Sequence, residues 1–223
     1  MSKKVKRSIK IQLSGSVGKV SAQYIMPSDA KCIISLAHGG GAGMDHPFMV
    51  ALADALAEKN IATLRFNFPF TENNKGRPDT PAVAQQTIEA AIAKAHELSA
   101  TIPVFVAGKS FGGRMSSLYL SSHPEAAVKG IIFYGFPLHA AGKPSTDRAE
   151  HLKKVKVPML FLQGSRDALA QYDLIEPVCA QLKKAKLIKI EGADHSFKAG
   201  KVNTFEQLAN ATNDWVDKIL EKR

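Results

Sequence analysis

Three polar residues, far apart in the chain, are of the types that nucleophilic catalysis requires. Ser110 stands in Gly108-Lys109-Ser110-Phe111-Gly112-Gly113, Asp167 closes Gln163-Gly164-Ser165-Arg166-Asp167, and His195 lies in Gly192-Ala193-Asp194-His195-Ser196-Phe197. A serine hydroxyl is a weak nucleophile until a neighbouring base takes its proton, which histidine can do near neutral pH. A carboxylate on the far ring nitrogen then fixes the tautomer and steadies the imidazolium that forms. The order serine, acid, histidine is one in which such sets occur. Ser110 is therefore expected as nucleophile, His195 as general base and Asp167 as the orienting acid, and the chemistry as acyl transfer to water. Asp194 and Asp173 are the alternative acids. Asp194 adjoins His195, and adjacent side chains seldom meet in the needed geometry; Asp173 reads as a helix cap. A phosphate-binding loop competes for Gly108-Lys109-Ser110, but its first glycine would fall on Pro103.

These residues need elements that bring them to one edge. An apolar strand, Ile102–Ala107, precedes the serine turn, and a helix, Phe111–Ser122, follows it. An abrupt strand-to-helix turn would make side chains two positions either side of the serine collide across it, which Gly108 and Gly112 relieve. Asp167 follows the strand Val157–Leu162, and His195 follows the last strand, Ala185–Ile190, so all three sit at carboxyl ends of strands. The run His38-Gly39-Gly40-Gly41-Ala42-Gly43 follows another apolar strand, Cys32–Ala37. Its backbone is expected to complete an oxyanion hole, with donors from Phe111 N–H and from Gly40 or Gly41. His38 is expected to hydrogen-bond within this loop and not to act as a second base. Loops after other strands supply the expected substrate pocket: Met44, His46, Phe68, Phe70, Phe136, Leu138 and His139. Arg65, Arg114 and Arg166 are candidates either to meet an acidic substrate group or to pair with carboxylates of the scaffold.

The rest of the chain alternates in the same way. Ile9–Leu13 and Val20–Met26 read as an antiparallel edge hairpin, Ile61–Phe66 and Val128–Phe133 as strands. Phe48–Lys59, Pro81–Leu98, Asp173–Leu182 and Thr204–Leu220 carry apolar residues at helical spacing, while Asn67–Thr80 and Tyr134–Ala149 read as loops. The fold class expected is α/β: a mostly parallel central sheet flanked by helices on both faces. The Tyr134–Ala149 loop is too short for a large cap domain. No repeat or linker divides residues 1–223, so one domain is expected.

Composition narrows the function classes. Hydrophobic residues make up 45% of 223, and no stretch is apolar for the length of a bilayer. The basic start, with Lys3, Lys4, Lys6, Arg7 and Lys10, leads into no apolar region of a secretory signal, which points to the cytoplasm. Cys32 and Cys179 are the two cysteines, neither beside another, and read as buried free thiols. Neither a metal nor an organic cofactor is called for. A net charge of +10, from 30 Lys+Arg against 20 Asp+Glu, permits polyanion binding. The lysines lie in short groups without aromatics or a nucleic-acid module between them, so a specific nucleic-acid partner is not expected. The expected partner is a small-molecule ester or related acyl compound, with thioester and peptide cleavage, or a non-catalytic binding role, as alternatives.

Beyond the three catalytic segments, His38-Gly39-Gly40-Gly41-Ala42-Gly43-Met44-Asp45-His46-Pro47, Arg65-Phe66-Asn67-Phe68-Pro69 and Gly135-Phe136-Pro137-Leu138-His139 complete a recognisable set. With them the chain, from about Cys32 to Leu220, resembles the α/β-hydrolase superfamily near its dienelactone-hydrolase-like branch. It looks most like small bacterial α/β-hydrolase-fold proteins whose distant relatives include a testis-expressed protein and a chromatin-complex subunit. The resemblance implies the same roles for Ser110, Asp167 and His195. It departs from dienelactone hydrolases, which use a cysteine nucleophile where this chain has serine.

Overall fold

The computed structural model describes residues 3–15 and 18–221. The first two residues of the basic N-terminal stretch and the middle of the hairpin turn lie outside them. Eight strands form one sheet: β1 Lys4–Gln12, β2 Lys19–Pro27, β3 Cys32–Ala37, β4 Ile61–Phe66, β5 Val104–Lys109, β6 Ile131–Tyr134, β7 Met159–Gly164 and β8 Ala185–Ile190. Their spatial order is β1-β2-β4-β3-β5-β6-β7-β8. β1 with β2, and β2 with β4, are antiparallel, and the remaining pairs are parallel. The chain runs outward from β3 to β4 and then returns to lay β5 on the other side of β3. This reversal brings the end of β3 beside the end of β5, with Ala37 opposite Gly108.

Parallel strands covered on both faces favour near-continuous apolar runs. β3, β4, β6 and β7 are buried throughout. The pleat sorts their side chains. Ile33, Val104, Val106, Ile131, Phe133, Met159 and Phe161 face one core, while Ile34, Leu36, Phe105, Ala107, Ile132, Leu160 and Leu162 face the other. The first core is closed by α3 Pro81–Leu98, α4 Phe111–Ser122 and α5 Tyr172–Ala180, and the second by α1 Pro47–Ala57 and α6 Thr204–Leu220.

Several boundaries differ from the sequence reading. β5 and β7 begin just after Pro103 and Pro158, residues without an N–H to give the ladder, and β5 continues through Lys109 to the serine itself. The Asn67–Thr80 loop holds one helical turn, α2 Pro69–Glu72, started by Pro69. A 3-10 helix over Asp147–Lys154 takes over the end of the Tyr134–Ala149 loop. No separate cap domain stands over the sheet edge among the described residues. No helix there is long and apolar enough to cross a membrane.

Candidate active site

Ser110 lies where β5 turns into α4, with φ 49° and ψ −114°. A side chain at positive φ is strained, and the surroundings hold it there. Ser110 N–H donates to Tyr134 O (3.3 Å), and Arg114 N–H donates to Ser110 O (3.1 Å). A Cβ on Gly108 would lie 2.2 Å from Gly113 N, across the turn as the sequence suggested. Gly112 is needed for a different reason. Its Cβ would lie 2.6 Å from the carbonyl oxygens of both Ala37 and His38, so it admits the end of β3 and not its own turn.

The three expected residues meet. Ser110 Oγ–H donates to His195 Nε2 (2.8 Å), and His195 Nδ1–H donates to Asp167 Oδ2 (2.7 Å). Asp167 is buried, while the His195 side chain is partly open. Asp167 also accepts from Gln163 Nε2 at Oδ2 (2.6 Å) and from Leu169 N–H at Oδ1 (2.8 Å). Gln163 in turn accepts Phe136 N–H at Oε1 (3.0 Å), which ties the loops after β6 and β7 together. Gly164 lets the acid-bearing loop and the histidine-bearing loop touch, since a Cβ there would lie 2.4 Å from Ala193 O. Of the alternative acids, Asp194 accepts the N–H groups of Ser196 (2.8 Å) and Lys198 (2.9 Å), and Asp173 sits in the first turn of α5.

The glycine loop passes over the serine turn. A Cβ on Gly40 would lie 3.5 Å from Phe111 Cβ, whereas one on Gly41 would meet nothing within 4 Å. The N–H groups of Phe111, Gly40 and Gly41 have no acceptor among the described residues. His38 anchors the loop from beneath. Its Nε2 accepts Phe68 N–H (3.0 Å), so Nδ1 carries the proton and donates to Gly39 O (2.8 Å). Burial lowers the His38 pKa to about 4, which keeps this ring neutral.

The expected pocket needs correction. A cavity of about 830 Å³ opens beside Ser110, between the N-terminal ends of α1 and α6 and the His195 loop. Of the seven pocket candidates His46 lines it, and His46 also caps α1 by accepting Phe48 N–H at Nδ1 (3.2 Å). Met44, Phe68, Phe70, Phe136, Leu138 and His139 are buried elsewhere. Phe68 and Phe70 pack edge-on against Phe111 and His38, and Phe136 packs against Phe133 and Phe161. His139 accepts Gln171 N–H at Nε2 (3.2 Å) and donates from Nδ1 to Ala140 O (2.9 Å), joining two loops. These large apolar groups collapse into the core because burying them is worth more than leaving them to line a water-filled cleft.

The arginines are also placed elsewhere. Arg65 is fully buried, donates to Met44 O and Gln23 Oε1, and lies 3.8 Å from Asp45 Oδ1. Arg114 is half-buried on α4, Arg166 is exposed, and neither lines the cavity.

Residues that sequence reasoning passed over form the cavity wall: Lys109, Phe48, Phe197, Val202 and Phe205. Lys109 had a readable signal. Phe105 and Ala107 face the core under α1 and α6, and period-two alternation turns Lys109 to the same side. The stem of Lys109 lines the cavity, while its Nζ is shielded from solvent and has no hydrogen-bond partner. Nζ lies 5.8 Å from the Phe48 ring centroid and 5.5 Å from that of Phe197. Burial lowers the Lys109 pKa to about 8, against the opposing pull of Asp167 and Asp194. Cys32 and Cys179 are unpaired and buried, and burial pushes both thiols up to about 12. No group of three His, Cys, Asp or Glu among the described residues is arranged to hold a metal ion.

A family model described as an alpha/beta hydrolase domain matches residues 30–221. Among curated sequences, a putative phosphoribosyl transferase of Mycobacterium tuberculosis is 25% identical over 214 residues, which is 94% of this chain and 46% of that one. The chain thus spans about half the length of the curated relatives it matches. Among solved structures, a dienelactone hydrolase from Anabaena variabilis has TM-score 0.75 and 20% identity, covering 96% of this chain and 98% of that one. Est1E from Butyrivibrio proteoclasticus, solved with ferulic acid bound, has TM-score 0.77 and 19% identity, covering 96% and 100%. An α/β serine hydrolase without lid from Xanthomonas campestris has TM-score 0.71 and 21% identity, covering 95% and 94%. At these identities the structural likeness is one of fold.

Proposed function

Because the chain belongs to the alpha/beta hydrolase family, we propose that it is a serine hydrolase that cleaves a small carboxylic ester through an acyl-enzyme on Ser110. The observation that carries this reading is the unbroken chain of hydrogen bonds Ser110–His195–Asp167, ending on a serine held at positive φ. Each member has the donor or acceptor that its step requires.

In the proposed mechanism His195 Nε2 takes the Ser110 proton as Oγ attacks the ester carbonyl carbon. The carbonyl π electrons move to oxygen, and the resulting oxyanion is met by the N–H groups of Phe111 and Gly40. Gly40 is preferred to Gly41 because it lies against Phe111. The tetrahedral adduct collapses, the C–O bond to the alcohol breaks, and His195 returns its proton to the departing oxygen. Water then attacks the acyl-enzyme by the same route, releasing the acid and restoring Ser110. Asp167, held by Gln163 and Leu169, keeps Nδ1 protonated throughout. Thioester and amide cleavage would use the same groups, and the choice among leaving groups lies in the fit of the cavity. A cytoplasmic location belongs to the same proposal, supported by two buried, unpaired cysteines.

Exposure to a fluorophosphonate, followed by intact-mass measurement, tests the assignment. One adduct on the protein and none on Ser110→Ala is expected, with turnover of p-nitrophenyl esters lost on the order of 10⁶-fold in the variant. A well-folded protein that takes no adduct and cleaves no ester would leave a non-catalytic binding role in its place.

A further inference from the structure

Lys109 is an anomaly in the site just described. A buried ammonium without a hydrogen-bonding partner is costly, and the two flanking aromatic rings offset that cost in part. The nearest carboxylates are otherwise engaged. Asp167 is taken by His195, Gln163 and Leu169, and Asp194 by the N–H groups of Ser196 and Lys198. The residues lining the cavity include Lys109, Lys198, His46 and His195, with no aspartate or glutamate among them. Three helices begin at its wall, α1 at Pro47, α4 after Ser110 and α6 at Thr204. Their N-terminal ends favour negative charge. α1 and α4 carry no acidic residue in their first turn, and α6 carries Glu206.

We propose that this cavity receives a carboxylate borne by the substrate, that Lys109 is the residue that selects it, and that the preferred substrates are hemiesters of short dicarboxylic acids. The inference rests on the serine-hydrolase reading above and names its substrate class. The Lys109 stem already forms cavity wall, so rotation about its four-carbon chain carries Nζ into the open space. One ammonium balances one carboxylate. Phe48, Met49, Val202 and Phe205 provide an apolar surface for the hydrocarbon spacer between carboxylate and ester. The positive group expected to meet an acidic substrate is thus Lys109 and none of the three arginines.

The test is the ratio of kcat/KM for mono-p-nitrophenyl glutarate to that for p-nitrophenyl valerate, chains of equal length that differ in the terminal carboxylate. The protein is expected to favour the glutarate ester by about 10-fold or more, Lys109→Met to lower the ratio by about 10- to 100-fold, and Lys109→Arg to keep most of it. A ratio that Lys109→Met leaves unchanged overturns the proposal. Calorimetric titration of glutarate and of valerate into Ser110→Ala protein needs neither turnover nor a stable Lys109 variant. Tighter binding of glutarate is expected, and equal binding overturns the proposal. If no ester is cleaved but glutarate still binds in a Lys109-dependent way, the hydrolase reading fails while the carboxylate site stands; cleavage with a flat ratio gives the reverse.

Discussion

Ser110 is held at φ 49° by one hydrogen bond on each side of its peptide unit and by two glycines that admit neighbouring backbone. That strain points Oγ at His195, and the precision of the pair depends in turn on what holds Asp167. Gln163 is buried and spends both ends of its amide there, donating to Asp167 and accepting Phe136 N–H. Gln163→Leu would leave that N–H without an acceptor and take from Asp167 one of its three donors, the others being Leu169 N–H and His195 Nδ1–H. Unfolding free energy is expected to fall by about 1–3 kcal/mol in urea titration. Under the proposed mechanism, ester turnover is expected to fall at least about 10-fold with little change in KM, because the lost bond positions Asp167 and does not touch substrate.

At the scale of elements, the site is made by the return of the chain across the sheet. β5 lies beside β3, so the glycine loop after one strand and the serine turn after the other share an edge. Gly112 is the contact that permits this approach. In Gly112→Ala the new Cβ would meet two backbone carbonyls at 2.6 Å, which no side-chain rotation relieves. A stability loss of about 1–3 kcal/mol is expected in thermal unfolding, together with slower fluorophosphonate labelling. Gly41→Ala is the contrasting case. Nothing lies within 4 Å of its Cβ and its φ is not positive, so stability is expected to stay within about 0.5 kcal/mol.

For the whole molecule, stability should depend on pH through His38 and His151. His38 is fully buried with its pKa lowered to about 4 by desolvation, and His151 is lowered to about 4 by burial and by Arg114. Each unfolded imidazole binds a proton near pH 6.5, whereas the folded one does not until about pH 4. Between these values the unfolded state holds more protons, so stability falls as pH falls. The slope contributed by His38 approaches about 1.4 kcal/mol per pH unit in that window. His38→Gln keeps an acceptor for Phe68 N–H but does not titrate. Urea unfolding from pH 7 to pH 4 should therefore show a shallower decline in this variant than in the native protein.

Much of this was legible in the residues themselves. Apolar runs of strand length, helical spacing from Pro81 to Leu98 and from Thr204 to Leu220, and glycines around Ser110 are local patterns, and backbone geometry reads them locally. The order of Ser110, Asp167 and His195, each just after a strand, placed them at one edge once the strands were parallel. Boundaries at Pro103 and Pro158 were also latent in the chain, since proline cannot join a ladder through its missing N–H. What the tertiary structure alone decided was where the space lies. Phe68, Phe70, Phe136 and Leu138 follow strands as pocket residues should, yet they fill a core. Phe48 and Phe205, more than 150 positions apart in the sequence, frame the cavity. Whether a side chain fills a gap or borders one depends on the volumes of neighbours brought in from distant parts of the chain, and close packing leaves that sum unreadable from any single segment.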